Sequence, residues 1–443
     1  MKKIITTYFD RRMAFIFFNG AASGFPWVVI GSAMTLWLKD LGLTRTAIGF
    51  FGSVFAVYSL NWMWAPLLDR VRLPLLARLG QRRSWLLLLQ ALLLLLILAM
   101  SRFDAGGSLV FLSLLALSVA SVSATQDVVI DAYRIDVLAR GETDKLPAGA
   151  ALATAGWWSG YGFIGAAALY FSDFGMSWNG VYVFLAMCVP LFMLNTLLLR
   201  EPRSARFEAQ REIQDAYENM LGGGGGHMWR RFAAWCLTTL FQPIRDFFSR
   251  FGAVALLIFL FIVFFKIGEA FLGRMSLLFY KEIGFTSAEI ATYSKLVGST
   301  LTIAFSIVAG AITVHFGLVR GLMVGGISMA ATNLIFAYMA ATGPDTAVFA
   351  TAIFLDNFTS AFSTVAFVAF ISHLTSRTYS ASQYALMASL GNFGRTLFAG
   401  GSGWLVDSLD GDWVVFFVIT ALMVAPSLLM LYWIAKKLRG MFA

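Results

Sequence analysis

The chain has 443 residues, of which 59% are hydrophobic and only 13% are charged, and its mean hydropathy is +0.76. Soluble globular proteins carry about 25% charged residues, so the composition excludes a soluble protein and predicts a polytopic helical membrane protein. The net charge of +9 does not indicate a nucleic-acid partner, because the basic residues cluster in short loops at alternate ends of apolar segments.

Twelve apolar segments have about the 20 residues that cross a bilayer, six before a polar stretch and six after it. They predict an all-α membrane protein with a six-helix bundle (1–200), a cytoplasmic linker (201–250) and a second six-helix bundle (251–443). The first apolar run is too long for a signal peptide. The segments lie near residues 13–38, 46–66, 84–101, 108–134, 147–172, 178–199, 251–279, 286–312, 321–341, 345–372, 383–407 and 412–435.

The orientation follows from the lysine and arginine residues of the loops. Most of them lie on the side of both termini and of the linker, whereas the opposite loops hold only Lys39, Arg45, Arg102 and Lys281. By the positive-inside rule, both termini and the linker are therefore expected in the cytoplasm.

The linker has two parts of different character. Residues 203–220 are charged and helix-forming, whereas residues 229–250 alternate arginines with aromatic residues and are expected to lie along the membrane surface. The glycine run at 222–226 is expected to be flexible from its composition, whether natural or engineered, and no function is assigned to it. Cys188 and Cys236 show no metal-ligand spacing, and no disulfide is expected.

The loop after the second segment combines an Asp-Arg pair (APLLDR, 65–70) with a basic tail (LGQRR, 79–83). An acid at a helix end can pair with basic residues or with a helix terminus and hold a cytoplasmic gate shut; the alternative is an ordinary positive-inside loop. The corresponding loop of the second half (315–320) lacks the aspartate. The candidate gate residues of the first loop are Asp69, Arg70, Arg82 and Arg83.

The fourth segment ends in TQDVVIDAYR (125–134). Asp127 and Asp131 are four residues apart and share a helix face, and Arg134 can pair with Asp131. Asp131 and Arg134 are therefore gate candidates, or only a paired helix end. Asp127 lies deeper in the membrane and is a candidate for a gating or proton-carrying role.

Four ionisable residues lie deep inside apolar segments of the second half: Lys266, Glu269, Lys295 and Arg395. A charge at the bilayer centre costs about 2.5–3.5 kcal/mol by insertion scales, so charges of both signs at that depth indicate a substrate or ion site. Lys266 and Glu269 share a helix face, either as a static pair or as a pair in which a ligand's competition for Lys266 changes the protonation of Glu269. The candidate proton carriers, in order of preference, are Glu269, Asp356 and Asp127.

Several segments carry local motifs that occur in the same order in one known family. These are WAPLLDR (64–70), TQDVVIDAYR (125–134), KIGEAF (266–271), DNF (356–358) and SASQYAL (380–386). This ordered set resembles the AmpG-type muropeptide permeases and their relatives, the acetyl-coenzyme A transporters. His315 and the glycine-rich linker depart from the family pattern. The resemblance implies a major facilitator fold with twelve transmembrane helices in two six-helix halves.

The resemblance also implies a function. Such permeases import N-acetylglucosaminyl-anhydro-N-acetylmuramyl peptides across the bacterial inner membrane, driven by the proton gradient. The expected partners are therefore a small glycopeptide and the lipid bilayer, the expected state is a monomer, and no cofactor other than the proton gradient is expected. Alternating access would occur around a cavity between the halves.

The residues permit that chemistry. Lys266, Lys295 and Arg395 could hold the carboxylates of the peptide, and aromatic residues in the middle of the fifth segment could stack on sugar faces. Helix packing and interhelical hydrogen bonds explain the aromatic and uncharged polar candidates equally well. The aromatic and uncharged polar candidates for ligand binding are Trp157, Trp158, Tyr161, Asn19, Tyr58, Asn61 and Asn357.

Other functions stay open at this point. The same charges would suit acetyl-coenzyme A or another anionic solute. A membrane enzyme acting on lipid-linked sugars is disfavoured, because the sequence offers no metal-ligand set and no nucleophile with its base. A sensor that binds the ligand without transporting it would lack proton-driven accumulation.

Overall fold

The computed structural model describes residues 7–43, 51–74, 76–103, 108–138, 142, 145–201, 206–220, 227–285 and 298–438. Every regular element within these ranges is helical, which confirms the all-α prediction. In a bilayer this is the expected solution, because a helix satisfies its own backbone hydrogen bonds where no water is present.

The helices are numbered here in chain order. Those of the first half are α1 (Arg11–Asp40), α2 (Ala65–Arg70), α3 (Gln81–Met100), α4 (Leu109–Val137), α5 (Leu146–Asp173) and α6 (Trp178–Leu198). Those of the linker are α7 (Arg206–Met220), α8 (His227–Cys236) and α9 (Gln242–Phe251). Those of the second half are α10 (Val254–Glu282), α11 (Gly298–Phe316), α12 (Leu318–Thr342), α13 (Thr346–Leu374), α14 (Ser380–Ala399), α15 (Ser402–Ser408) and α16 (Trp413–Lys437).

Within the described ranges, eight helices are long and apolar enough to cross a membrane: α1, α3, α4, α6, α10, α12, α13 and α16. The 28-residue α5 and the 20-residue α14 match the predicted fifth and eleventh segments. α11 covers the described part of the eighth segment. The described part of the second segment contains two short 3-10 helices, Gly52–Ser59 and Asn61–Met63, followed by α2.

Three spans are less regular than the sequence predicted. The 3-10 turns of the second span give way to α2 next to Pro66, which has no N–H group and suits a helix start. α14 stops at Gly400 and Gly401, and α15 continues the span. α10 is interrupted at Lys266, whose backbone (φ −106°, ψ 15°) leaves the helical region. Broken helices in membranes occur where the backbone lines a cavity or is buried in protein.

The two halves meet through a few helices. α5 packs against α11 and α13, while α14 packs against α4, α2 and the 3-10 helices that precede α2. Small residues allow this approach: Ala150 and Ala151 share a buried cluster with Ala309 and Phe362. In lipid, packing of small residues replaces the hydrophobic drive that joins helices in water.

The end of the bundle that carries Asp69, Arg82 and Arg134 is called the basic end below, and the halves are in close contact there. The Tyr8 hydroxyl, just before α1, donates a hydrogen bond to the Ile307 carbonyl of α11 at 2.7 Å. Gly310 of α11 lies so close to the first half that an added Cβ would meet Ala151 Cβ and the Tyr8 hydroxyl. The basic end is therefore closed.

Gly310→Ala should force α5 and α11 apart at the basic end, because the Ala151 methyl group is fixed to the backbone and has no rotamer to move into. We expect a cysteine at position 369, buried in the cluster between α5 and α13, to react faster with a membrane-impermeant maleimide. The measurement uses a background without Cys188 and Cys236. Gly273→Ala is the matched control, because a Cβ there meets nothing within 4 Å; equal rates in both variants would contradict the prediction.

Candidate functional site

Arg82 forms the centre of a buried ion-pair network at the basic end. Its guanidinium is fully buried and contacts Asp69 at 2.8 Å and Asp136 at 3.0 Å, both in the first half. It also donates to the Ser380 hydroxyl, at the start of α14 in the second half, at 2.7 Å. A buried charge is tolerated only when it is paired in this way, so Arg82 depends on acids of one half while it binds the other.

The carboxylate of Asp69 caps the N-terminus of α14. It accepts hydrogen bonds from the backbone N–H groups of Ala381 (3.2 Å) and Ser382 (2.9 Å) and from the Ser382 hydroxyl (2.7 Å). The first N–H groups of a helix have no partner within the helix and carry partial positive charge, so a carboxylate stabilises them. Asp69 and Arg82 thus join the halves at one point, which we call the latch.

Arg134 makes a second connection between the halves. Its guanidinium pairs with Asp131 at 2.9 Å, donates to the Ser372 hydroxyl of α13 at 2.8 Å and lies 5.2 Å from the ring centroid of Tyr384 in α14. Ser372 and Tyr384 lie in the second half, so Arg134 adds a second ionic anchor to the closed basic end.

Two of the candidate gate residues occupy other positions. Arg83 donates to the carbonyls of Leu197 (2.6 Å) and Thr196 (3.3 Å), so it binds the last turn of α6 within its own half. Arg70 is half-buried and interacts electrostatically with Tyr379, directly before α14, and with Asp215 of the linker helix α7. Of the loop's three candidate arginines, Arg82 is the one that donates to the start of α14.

A cluster of charged and hydroxyl groups occupies the middle of the second half. Lys266, at the interruption of α10, donates to Glu269 at 2.7 Å and to the Thr364 hydroxyl at 2.5 Å. The Ser360 hydroxyl donates to the other oxygen of Glu269 at 3.0 Å. Sequence reasoning missed Ser360 and Thr364, although both follow Asp356 at intervals of four residues and therefore share its face of α13.

Two further charges act on this pair. Arg395 interacts electrostatically with both Lys266 and Glu269, and so does Asp356. The Arg395 side chain is exposed, whereas that of Lys266 is 6% exposed. Arg395 is therefore the more accessible of these two cations, and Lys266 is held by its partners. Lys295 lies outside the described residues.

Asn357 lies next to this cluster but is already bonded. Its amide oxygen accepts from the Thr302 hydroxyl of α11 at 2.8 Å, and its amide nitrogen donates to the Ile353 carbonyl at 2.7 Å. In this conformation Asn357 connects α13 to α11.

The polar candidates of the first half hold helices together. Asn19 is 2% exposed and accepts from Asn195 of α6 at 2.9 Å, which places it away from the second half. The Tyr58 hydroxyl donates to Ser123 at 2.8 Å. Asn61 accepts from Ser389 of α14 at 2.9 Å, so it bridges the two halves.

Asp127 is the deepest acid of the first half among the residues named. It is half-buried and accepts a hydrogen bond from the Ser23 hydroxyl of α1 at 2.7 Å. Its charge also acts on the nearby Tyr58. No lysine or arginine of the described residues forms an ion pair with Asp127, whereas Asp131, one turn away, pairs with Arg134.

An aromatic shelf joins α1, the second span and α5 of the first half. Trp27 of α1 stacks on Phe55 at 4.3 Å between ring centroids and contacts Tyr58 (5.1 Å) and Trp157 (5.7 Å). Trp157 in turn stacks on Tyr161 at 5.4 Å. The members of the shelf are Trp27, Phe55, Tyr58, Trp157, Trp158 and Tyr161.

The shelf is built on segments that also meet the second half. Trp27 contacts Tyr58 of the second span and Trp157 of α5, and both of these segments pack against the second half. The sequence analysis did not select Trp27 or Phe55. The position of Trp27 in the middle of the first apolar segment could have indicated a role for it, because aromatic residues of the interfacial belt lie near the ends of a span.

The arrangement places aromatic surface on one half and charges on the other. It offers no group of three or more metal-binding side chains in the described part of the chain. By their chemistry, aromatic rings stack on apolar ring faces and guanidinium groups pair with carboxylates.

Comparison with known proteins identifies the family. The sequence profile of the Major Facilitator Superfamily matches residues 16–399. The putative transporter AmpG 4 of Rickettsia felis is 32% identical, with 98% of this chain and 99% of that protein covered. The anhydromuropeptide permease of Escherichia coli K12 is 30% identical, with 95% of this chain and 79% of that protein covered. The chain belongs to the AmpG family of the major facilitator superfamily.

This AmpG family member is a multi-pass membrane transporter and not an enzyme. Its fold matches solved structures of the superfamily at 13% sequence identity. The proton:xylose symporter XylE bound to 6-bromo-6-deoxy-D-glucose gives a TM-score of 0.65, with 95% of this chain and 94% of that chain covered. The human organic anion transporter MFSD10 gives 0.60, with 95% and 98% covered. The predicted major facilitator fold is confirmed.

Asp69→Ala should open the latch, because it leaves Arg82 buried with one acid fewer and the start of α14 without its cap. Removing one partner of a buried pair costs about 3–5 kcal/mol. We expect a lower thermal midpoint and faster maleimide labelling of a cysteine at position 385, which is 2% exposed in α14.

Arg83→Gln is the matched control for the latch, since Arg83 contacts its own half. It should leave labelling at position 385 unchanged. Faster labelling in Arg83→Gln than in Asp69→Ala would show that the basic tail as a whole, rather than the latch, closes this end.

Proposed function

We propose that this transporter imports anhydro-muropeptides, the N-acetylglucosaminyl-anhydro-N-acetylmuramic acid disaccharide and its peptides, from periplasm to cytoplasm in symport with protons. The observation that carries the proposal is the 30% identity, across 95% of the chain, to a protein named anhydromuropeptide permease. The pairing of an aromatic shelf with a charged cluster across the two halves supports it.

The proposed ligand and the two faces have matching chemistry. Sugar rings have apolar faces that stack on aromatic side chains, and five of the six shelf side chains are partly exposed, Tyr58 being buried. Peptide carboxylates are held best by guanidinium groups, and Arg395 is the exposed cation beside the cluster. We infer that the sugars lie against the first half and the peptide carboxylates against the second.

The proposed direction of transport follows from charge. The positive-inside rule assigns the basic end to the cytoplasm, in the inner membrane of a bacterial cell. The halves are closed together at that end, so the ligand site in this conformation would communicate with the periplasm. Opening of the latch and closure of the opposite end would complete alternating access between the two bundles.

The proposed coupling acid is Glu269, with Asp356 second and Asp127 third. Glu269 is held by Lys266 and Ser360 in the structure. A ligand carboxylate that draws Lys266 or Arg395 toward itself would leave Glu269 with less compensating charge, which favours its protonation. Binding of the anion and uptake of the proton would then occur together.

The direct test is uptake of labelled anhydro-muropeptide into proteoliposomes that contain the purified protein, with and without an inward proton gradient. We expect accumulation above the outside concentration only with the gradient. Equilibration without accumulation would contradict proton coupling. Absence of uptake by folded protein would contradict the cargo and favour another anionic solute, with acetyl-coenzyme A tested next.

Glu269→Gln should abolish gradient-driven accumulation, because the amide keeps the shape of the side chain but cannot carry the proton. Counterflow exchange of the ligand should persist, measured with ligand inside and outside and no gradient. Glu282→Gln, at the far end of α10 where Glu282 bonds Trp413, is the control. Loss of exchange and binding together in Glu269→Gln would mean that this residue binds ligand or supports folding.

Arg395→Ala should weaken binding of peptide-bearing ligand by about 10- to 100-fold, the range for a lost charge-assisted hydrogen bond. The bare disaccharide with its carboxyl groups amidated should bind nearly unchanged, as measured by calorimetry on detergent-solubilised protein. Arg274→Ala is the control, because it removes another exposed arginine, in α10. Equal losses for charged and neutral ligands would contradict the carboxylate role.

A further inference from the structure

The linker helices α8 and α9, joined by a π-helical turn at Leu237–Phe241, have an apolar face that no part of the described chain covers. This face is separate from the transport site. Its six large side chains are each at least 41% exposed. They are Trp229, Phe232, Leu240, Phe241, Ile244 and Phe248.

α9 has three distinct faces. Pro243, Phe247 and Phe251 are buried against the transporter. Ile244 and Phe248 lie one residue later in the helix, about 100° around the axis, and are exposed. Arg245 and Ser249 lie a further 100° around and are exposed to the remaining side. This is the pattern expected of a helix that contacts protein on one side, lipid on the second and water on the third.

The position of α9 also agrees with a location at the membrane surface. Gly252, with φ +54°, ends the helix and turns the chain into α10, whose apolar span begins at Val254. α9 therefore lies at the membrane boundary of the basic end. The two helices and their connecting turn carry four arginines against one aspartate, so their polar side is positive.

α9 also holds the segment on which the latch closes. Gln383, in the first turn of α14, donates to the Pro243 carbonyl and to Asp246, both at 2.8 Å. Arg250 donates to Gln383 at 2.7 Å and to the Leu374 carbonyl, at the end of α13, at 3.0 Å. The same start of α14 is bound on its other side by Asp69 and Arg82.

We propose that the apolar face of α8 and α9 inserts into the cytoplasmic leaflet, that Arg230, Arg231 and Arg245 bind anionic phospholipid headgroups, and that this anchorage stabilises the closed latch. The charge of the linker helices selects an anionic lipid surface over a neutral one, because basic residues are drawn to negative headgroups near an amphipathic helix. The apolar side chains supply the insertion. Lipid composition then regulates how readily the basic end opens.

The location of the helices is tested by spin labels on the full chain in a background without Cys188 and Cys236, reconstituted in vesicles of phosphatidylcholine and phosphatidylglycerol. A nitroxide at position 248 should be more accessible to oxygen, which concentrates in lipid, than to a water-soluble nickel chelate. A nitroxide at position 249 should show the reverse. Equal nickel accessibility at the two positions, or shielding of position 248 from both reagents by a protein contact, would overturn the proposal.

Regulation of the latch is tested by maleimide labelling of a cysteine at position 385 in vesicles of phosphatidylcholine alone and of the anionic mixture. We expect labelling to be about fivefold slower or more in the anionic vesicles, from the attraction of arginines to the charged surface. Replacing Arg230, Arg231 and Arg245 together by Gln should remove this difference.

The matched control replaces Arg320, Lys436 and Lys437 by Gln, which removes three charges at the basic end outside α8 and α9. This variant should keep the response to anionic lipid. If the linker variant keeps the response, or if the control loses it equally, the arginines of α8 and α9 do not regulate the latch and the proposal fails.

Discussion

The structure depends on the requirement that a charge buried in a membrane protein be paired. Arg82, with no exposed surface, is stable because two acids of its own half and a hydroxyl of the other half surround it. Lys266 is held in the same way by Glu269 and Thr364. A buried cation whose partners come from both halves couples the halves energetically, because moving one half removes part of the compensation. This coupling applies to Arg82, which bonds Ser380 of the other half, whereas the partners of Lys266 all lie in its own half.

The halves share a fold and differ in the chemistry they present to each other. The first presents stacked aromatic rings and a single deep acid, Asp127, bonded to Ser23. The second presents Lys266, Glu269, Asp356 and Arg395. This asymmetry suits a solute with one ring-rich part and one anionic part. Two of these charges, Lys266 and Glu269, lie in α10 next to the point where the helix is interrupted.

The start of α14 connects three parts of the molecule. Asp69 caps it from the first half and Gln383 ties it to α9, while Ser389, in the middle of the same helix, donates a hydrogen bond to Asn61 of the first half. Because the latch, the linker and Asn61 all contact this one helix, a displacement of α14 would change all three contacts. Closure of the basic end in this structure therefore involves the linker as well as the two bundles.

The sequence by itself determined the helical class and the number of spans, because a bilayer demands about 20 apolar residues per helix. The order of its local motifs indicated the family. A spacing of three or four residues also predicted pairs such as Lys266–Glu269. The sequence could not separate Arg82 from Arg83, place Asn19 between α1 and α6, or find Trp27, Ser360 and Thr364. Those outcomes depend on which way each helix is rotated and on contacts between residues that are far apart in the sequence. Membrane helices are apolar on nearly all sides, so their periodicity leaves that rotation undetermined, and only the tertiary packing decided it.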